Sequence, residues 1–155
     1  VAYSLKCLDQ ADKASPQSPY FKLLAAQIQI RLAQPQALQT LRYLSELYPG
    51  NAAIALTQAE ALAEFDSTQA AINLLTERLV EFEHQGAFYE RLARYYSQQN
   101  DDFGTHYYLA LQEEHLGNIE KAHYLARQAE TLLKTKMRKK NAKLERLKSR
   151  LEQYR

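Results

Sequence analysis

Apolar and small residues recur along this chain with a period of 34 residues. If Ser18 is position 1, then Phe21 stands at position 4 and Leu41 at position 24. Two further steps of 34 residues begin at Ala52 and Gly86 and repeat the pattern. The small residues at position 8 are Ala25, Ala59 and Ala93, and those at position 20 are Ala37 and Ala71. Such a period is typical of paired helices that stack on their neighbours.

The pattern is less regular at both ends. A further match begins at Phe103, with Ala110 at position 8 and Ala122 at position 20, so the segment near 103–116 is expected to serve two successive helix pairs. Residues 1–16 resemble the second half of a repeat whose first helix is missing. Because the chain also opens on Val1, we expect it to be a piece cut from a longer protein.

Charge separates the last segment from the rest. Residues 1–133 hold 10 Lys and Arg against 16 Asp and Glu, whereas residues 134–155 hold 10 against 2. One narrow apolar stripe runs along this basic segment, at Met137, Leu144, Leu147, Leu151 and Tyr154. The spacing predicts a terminal helix that packs one face on the repeats and exposes the other.

These positions are those of the tetratricopeptide (TPR) signature. The sequence therefore predicts an all-α, right-handed TPR solenoid of about 8–9 antiparallel helices. We expect a TPR array over 1–133, with a half repeat at 1–16 and repeats from about 18, 52, 86 and 103. A basic capping helix is expected over 134–155.

Catalytic motifs are not found in the sequence. It contains no H-E-x-x-H, no G-x-S-x-G and no glycine-rich phosphate loop, and it has only four Gly. Cys7 is the single cysteine, so no internal disulfide is expected. Two E-x-x-H pairs, Glu81/His84 and Glu120/His123, have the spacing of di-iron bundle ligands, but surface polar residues are the preferred interpretation. We expect no enzyme activity, metal or cofactor in this chain.

Positions 2, 5, 9, 12 and 13 of each first helix line the concave groove of a TPR array. Tyr107, at position 5, is the best single candidate for a partner contact, because tyrosine combines a large ring with a polar tip. The predicted groove residues are Lys22, Gln29, Glu60, Glu64, Glu90, Arg94, Gln98, Tyr107 and His115. This surface is mixed and rather acidic, and it lacks the basic clamp by which some TPR domains hold a carboxy-terminal peptide.

The region from His106 to His123, followed by a basic link and the K-L-E-R-L-K-S-R-L-E-Q sequence of 143–153, adds a resemblance. It is similar to the carboxy-terminal TPR region of bacterial periplasmic zinc metalloproteases of the BepA/YfgC type. The resemblance implies a periplasmic domain that engages outer-membrane assembly components or substrate polypeptides. It also implies an upstream protease domain that holds the zinc and the catalytic residues.

Three other interpretations stay open. The chain could be a TPR scaffold unrelated to proteolysis. The basic tail, with Lys136, Arg138, Lys139 and Lys140, could bind nucleic acid or an anionic membrane, although no aromatic residue is interleaved over 134–153 to stack on bases. An autonomous metalloenzyme would require both E-x-x-H pairs to face one cavity. No run is long and apolar enough for a transmembrane segment. An exposed amino-terminal edge could support a dimer.

Overall fold

The computed structural model describes Gln10, residues 18–135 and residues 141–154. Within these residues the chain forms eight α-helices and no strand, which confirms the all-α prediction. The helices are α1 (Pro19–Arg31), α2 (Gln36–Leu47), α3 (Ala52–Phe65), α4 (Thr68–Arg78), α5 (Gly86–Gln98), α6 (Asp102–His115), α7 (Ile119–Thr135) and α8 (Ala142–Glu152). The predicted half repeat at 1–16 lies outside the described residues, apart from Gln10.

Helix boundaries follow local side-chain chemistry. Pro19 occupies the first turn of α1, where its missing N–H leaves no intrahelical hydrogen bond unmade. The Asn51 side chain caps α3 and the Asp101 side chain caps α6, because each accepts hydrogen bonds from backbone N–H groups of the first turn. Gly117 has a φ of 79°, so a residue that tolerates the left-handed conformation separates α6 from α7.

The chain divides into two compact units, Val1–Arg78 and Leu79–Arg155. In the first unit, α1 packs on α2 and α3, α2 packs on α3, and α3 packs on α4. One buried cluster contains Ala26, Ile30, Ala37, Leu41 and Ala61. The short connections between helices are those of antiparallel helix hairpins.

In the second unit, α6 packs on α5 and on α7, and α8 packs on α7 and touches α6. The stripe on α8 buries Leu144, Leu147 and Leu151 completely or nearly so. The expected fourth member, Tyr154, is instead 66% exposed, because α8 ends at Glu152 and the helical spacing does not continue to that residue. Met137 lies outside the described residues.

The small residues of the 34-residue pattern lie in the cores of the two units. Five of them are at most 4% exposed, namely Ala37, Ala59, Ala71, Ala93 and Ala122. Ala25 is the exception in the first repeat, where it is half-buried and its neighbour Ala26 is fully buried. Alanine at these points lets neighbouring helices approach closely, which is the physical basis of the sequence pattern.

Candidate functional site

The second unit carries a cleft of about 360 Å³ where the segment before α5, the end of α6 and the end of α8 meet. We call it the α6–α8 cleft. Its lining residues are Glu83, His84, Tyr89, Leu111, Glu114, His115, Arg150 and Tyr154. Most of these side chains are rings or charged groups, which are the residue types that contact partners at protein interfaces.

An ion pair joins two walls of the α6–α8 cleft. Arg150 Nε donates to Glu114 Oε1 at 3.0 Å, and Arg150 Nη2 donates to Glu114 Oε2 at 2.6 Å. The Glu114 side chain is 14% exposed and that of Arg150 is 55% exposed. The guanidinium group uses two of its five N–H donors on Glu114, so further donors are left for a ligand.

Two tyrosines lie close to this ion pair. The Tyr89 hydroxyl donates to the Glu83 backbone carbonyl oxygen at 2.5 Å. Burial raises the pKa of Tyr89 and of Tyr107, and the positive charge of Arg150 partly opposes this rise in both. Both phenols therefore stay protonated at neutral pH and act as hydrogen-bonding groups.

His115 lies over the start of α5. Its ring meets the Tyr89 ring edge-on, with 6.4 Å between the ring centroids. A Cβ atom on Gly86 would lie only 2.7 Å from His115 Cδ2, so glycine at this point lets the ring approach the α5 backbone. The exposed ring of His115 thus stands at the mouth of the cleft.

Of the predicted groove residues in the first unit, Lys22 is half-buried, with its Nζ 5.5 Å from the centroid of the Tyr43 ring. Gln29 is half-buried, and its Oε1 atom is buried without a hydrogen-bond partner within the described residues. Glu60 is half-buried and Glu64 is exposed.

In the second unit, Glu90 and Arg94 form an exposed ion pair one turn apart on α5, at 3.2 Å. Gln98 is exposed at the end of the same helix. Tyr107 is half-buried, with its ring stacked on Phe103 at 6.1 Å between centroids. Among the nine predicted groove residues, His115 is the one that lines the α6–α8 cleft.

Several cleft residues were not singled out from the sequence, although the repeat pattern contains a signal for two of them. Counting from Phe103, Leu111 and Glu114 stand at groove positions 9 and 12, next to His115 at position 13. His84 precedes α5 and Arg150 lies on the terminal helix. The groove rule, which covers the first helix of each repeat, does not reach these two residues.

The four basic-tail residues, Lys136, Arg138, Lys139 and Lys140, lie outside the described residues. The described part of the basic segment is held to the acidic helices by charge. Lys148 Nζ donates to Glu130 Oε2 at 2.8 Å, which raises the pKa of Lys148, and Arg150 pairs with Glu114. At least these two cations of α8 complement the acidic α6 and α7.

The two E-x-x-H pairs separate in the structure. His84 lines the α6–α8 cleft, whereas Glu120 and His123 line another cavity. Across Gln10, 18–135 and 141–154, no group of three or more His, Cys, Asp and Glu side chains is placed to hold a metal ion. Over the same residues, no helix combines the length and the apolar character that a membrane crossing requires.

Comparison with known proteins adds no relative to this picture: no protein-family model and no curated protein matches the sequence.

Proposed function

We propose that this chain is a non-catalytic TPR interaction domain that binds a partner polypeptide, with the α6–α8 cleft as a main contact surface. The observation that carries the proposal is the agreement between the repeat pattern and the cleft. Leu111, Glu114 and His115 stand at groove positions 9, 12 and 13, and all three line the cleft.

The burial pattern supports a stack of helix pairs. The alanines at positions 8 and 20 are buried in both units, with the exception of Ala25, and the helices that follow each other pack on each other. A repeat of this kind builds extended surfaces from successive helices, and such surfaces commonly bind polypeptides.

The chemistry of the cleft fits a polypeptide ligand. Arg150 and His84 offer donors, Tyr154 offers a ring that is 66% exposed, and Leu111 offers an apolar base. Exposed Tyr and Arg side chains are the residue types that contribute most to binding at interfaces.

The resemblance to the BepA/YfgC type extends the proposal. In this view the chain is the carboxy-terminal part of a periplasmic zinc metalloprotease, and its partners are outer-membrane assembly components or β-barrel substrate polypeptides. The zinc and the catalytic residues belong to another part of that parent. A signal peptide and an H-E-x-x-H sequence upstream in the parent gene would support this, and their absence would favour a scaffold unrelated to proteolysis.

Site-specific photo-crosslinking tests the binding surface. A benzoylphenylalanine replaces Tyr154 at the cleft, and a matched variant carries it at Tyr20 in the first unit, which is 75% exposed. After irradiation in an envelope extract, mass spectrometry identifies the crosslinked proteins. We expect the Tyr154 variant to crosslink an assembly component or an unassembled β-barrel protein, and the Tyr20 variant not to do so.

A second substitution ties the crosslink to the cleft. Arg150→Ala combined with His115→Ala removes two cleft side chains and is expected to abolish the Tyr154 crosslink. Identical crosslinked proteins from both positions, or a crosslink that survives the double substitution, would count against the proposal.

A further inference from the structure

Three of the four histidines in the chain line two neighbouring cavities of the second unit. His84 and His115 line the α6–α8 cleft. His123 lines a second cavity of about 510 Å³, which shares Tyr154 with the cleft. The other residues of the second cavity are Ile119, Glu120, Tyr124 and Arg127. We call the two cavities together the histidine strip.

We propose that the histidine strip binds an anionic segment of a partner polypeptide, and that protonation of these three histidines switches the binding on. This inference rests on the proposed function, because it names the chemistry of the partner and a condition for binding.

The charge balance of the strip carries the argument. Its carboxylates are Glu83, Glu114 and Glu120, and its guanidinium groups are those of Arg127 and Arg150. With neutral histidines the strip therefore has a balance of −1, and with three protonated histidines the balance becomes +2. Histidine is the side chain that ordinarily changes charge between about pH 5 and 8, so the sign of the strip reverses in that range.

The surroundings of each histidine tolerate the extra proton. His84 is 92% exposed, and its Nε2 lies 3.5 Å from Glu83 Oε1. His115 is exposed beside Tyr89, with Glu114 and Arg150 in the same cleft.

His123 is half-buried, and its Nε2 lies 3.0 Å from the Leu151 carbonyl oxygen near the carboxyl end of α8. Glu120 and Arg127 are the charged groups that share its cavity. A protonated ring can donate to this carbonyl, and a cation at a helix carboxyl end is favourable. Protonation of His123 is therefore compatible with its present contact.

The rings of the strip add contact area for the same ligand. Tyr124 is 62% exposed and Tyr154 is 66% exposed, and both flank the second cavity. An acidic segment laid along the strip would place carboxylates near the two guanidinium groups and the protonated imidazoles, while its backbone and apolar side chains contact the tyrosines.

Fluorescence anisotropy with a labelled peptide of about twelve Asp and Ser residues tests the inference, because Asp stays ionised at the lower pH used. We expect the wild-type chain to bind it at least about tenfold more tightly at about pH 5.5 than at about pH 7.5. A matched peptide with Lys in place of Asp is expected not to show this gain.

The variants separate the strip from a general effect of acid on the chain. In the triple variant His84→Gln, His115→Gln and His123→Gln, the ratio between the two pH values should fall to within about twofold. His106→Gln is the matched control, because His106 contacts the Asp102 carbonyl oxygen and lines neither cavity. It should keep the wild-type ratio. Circular dichroism verifies that all variants are folded.

A ratio that persists in the triple variant, or the absence of peptide binding at both pH values, would overturn the inference. The crosslinking test uses no acidic peptide. A cleft-dependent crosslink without pH-dependent peptide binding would therefore leave the proposed function standing and remove the histidine strip alone.

Discussion

Gly104 is the point at which α5 and α6 approach most tightly in a way that a single methyl group can test. A Cβ atom built on Gly104 would lie 2.3 Å from Tyr96 Cδ1 and 2.5 Å from Tyr96 Cγ. The Tyr96 ring is stacked on Tyr108, with 5.3 Å between centroids, and Tyr108 is 5% exposed. Because the clash involves ring atoms near the Tyr96 backbone, the ring cannot simply swing away, and Gly104→Ala must shift the helices or the stacked pair.

Overpacking of this kind costs about 1–3 kcal/mol, whereas alanine in place of glycine inside a helix gains up to about 1 kcal/mol. We therefore expect Gly104→Ala to destabilise the second unit by about 1–2 kcal/mol. For a unit of this size the loss corresponds to a fall in Tm of about 4–8 °C per kcal/mol. Thermal and urea unfolding followed by circular dichroism measures it.

Gly86→Ala is the matched control. Its Cβ would lie 2.7 Å from Cδ2 of His115, which is an exposed ring that can rotate toward solvent. We expect a change within about 0.5 kcal/mol. A Gly104→Ala protein as stable as the wild type, or an equal loss in both variants, would refute the close-packing argument for α5 and α6.

Two further substitutions test the electrostatics and the docking of α8. Glu113 is 7% exposed and accepts hydrogen bonds from Asn118 Nδ2 at 2.7 Å and Lys121 Nζ at 2.6 Å, which lower its pKa. Glu113→Gln should cost about 1.5–3 kcal/mol at pH 7, and because a lowered pKa stabilises the fold above the unfolded pKa and this is lost as the pH falls through the folded value, urea titrations should show a smaller loss of stability on acidification below about pH 4.5 than in the wild type. An unchanged acid profile would contradict this assignment. Leu147→Ala should destabilise the packing of α8 by about 2–5 kcal/mol, whereas Arg150→Ala should cost only about 1 kcal/mol because that side chain is largely exposed, and hydrogen exchange of the α8 amides compares the two; equal loss of protection would contradict the account.

The sequence predicted the helices well because helix starts depend on neighbouring residues. The repeats counted from 18, 52 and 86 correspond to α1, α3 and α5, which begin at Pro19, Ala52 and Gly86. The period also predicted which alanines are buried, since close helix packing requires small side chains at fixed points.

The candidate site could be predicted only in part, because much of it depends on contacts between distant residues. Arg150 pairs with Glu114, which lies 36 residues earlier, and no local pattern announces that partner. His84 enters the cleft from the segment before α5. Tyr154 was expected in the buried stripe, but the end of α8 turns it into an exposed wall of both cavities.

The central claim is that the α6–α8 cleft binds a partner polypeptide, and photo-crosslinking from Tyr154 measures this most directly. The account predicts a defined crosslinked protein of the outer-membrane assembly pathway from that position, its loss when Arg150 and His115 are both replaced by alanine, and no such product from Tyr20. The absence of a crosslinked partner at Tyr154, or the same partners at Tyr20, would contradict it.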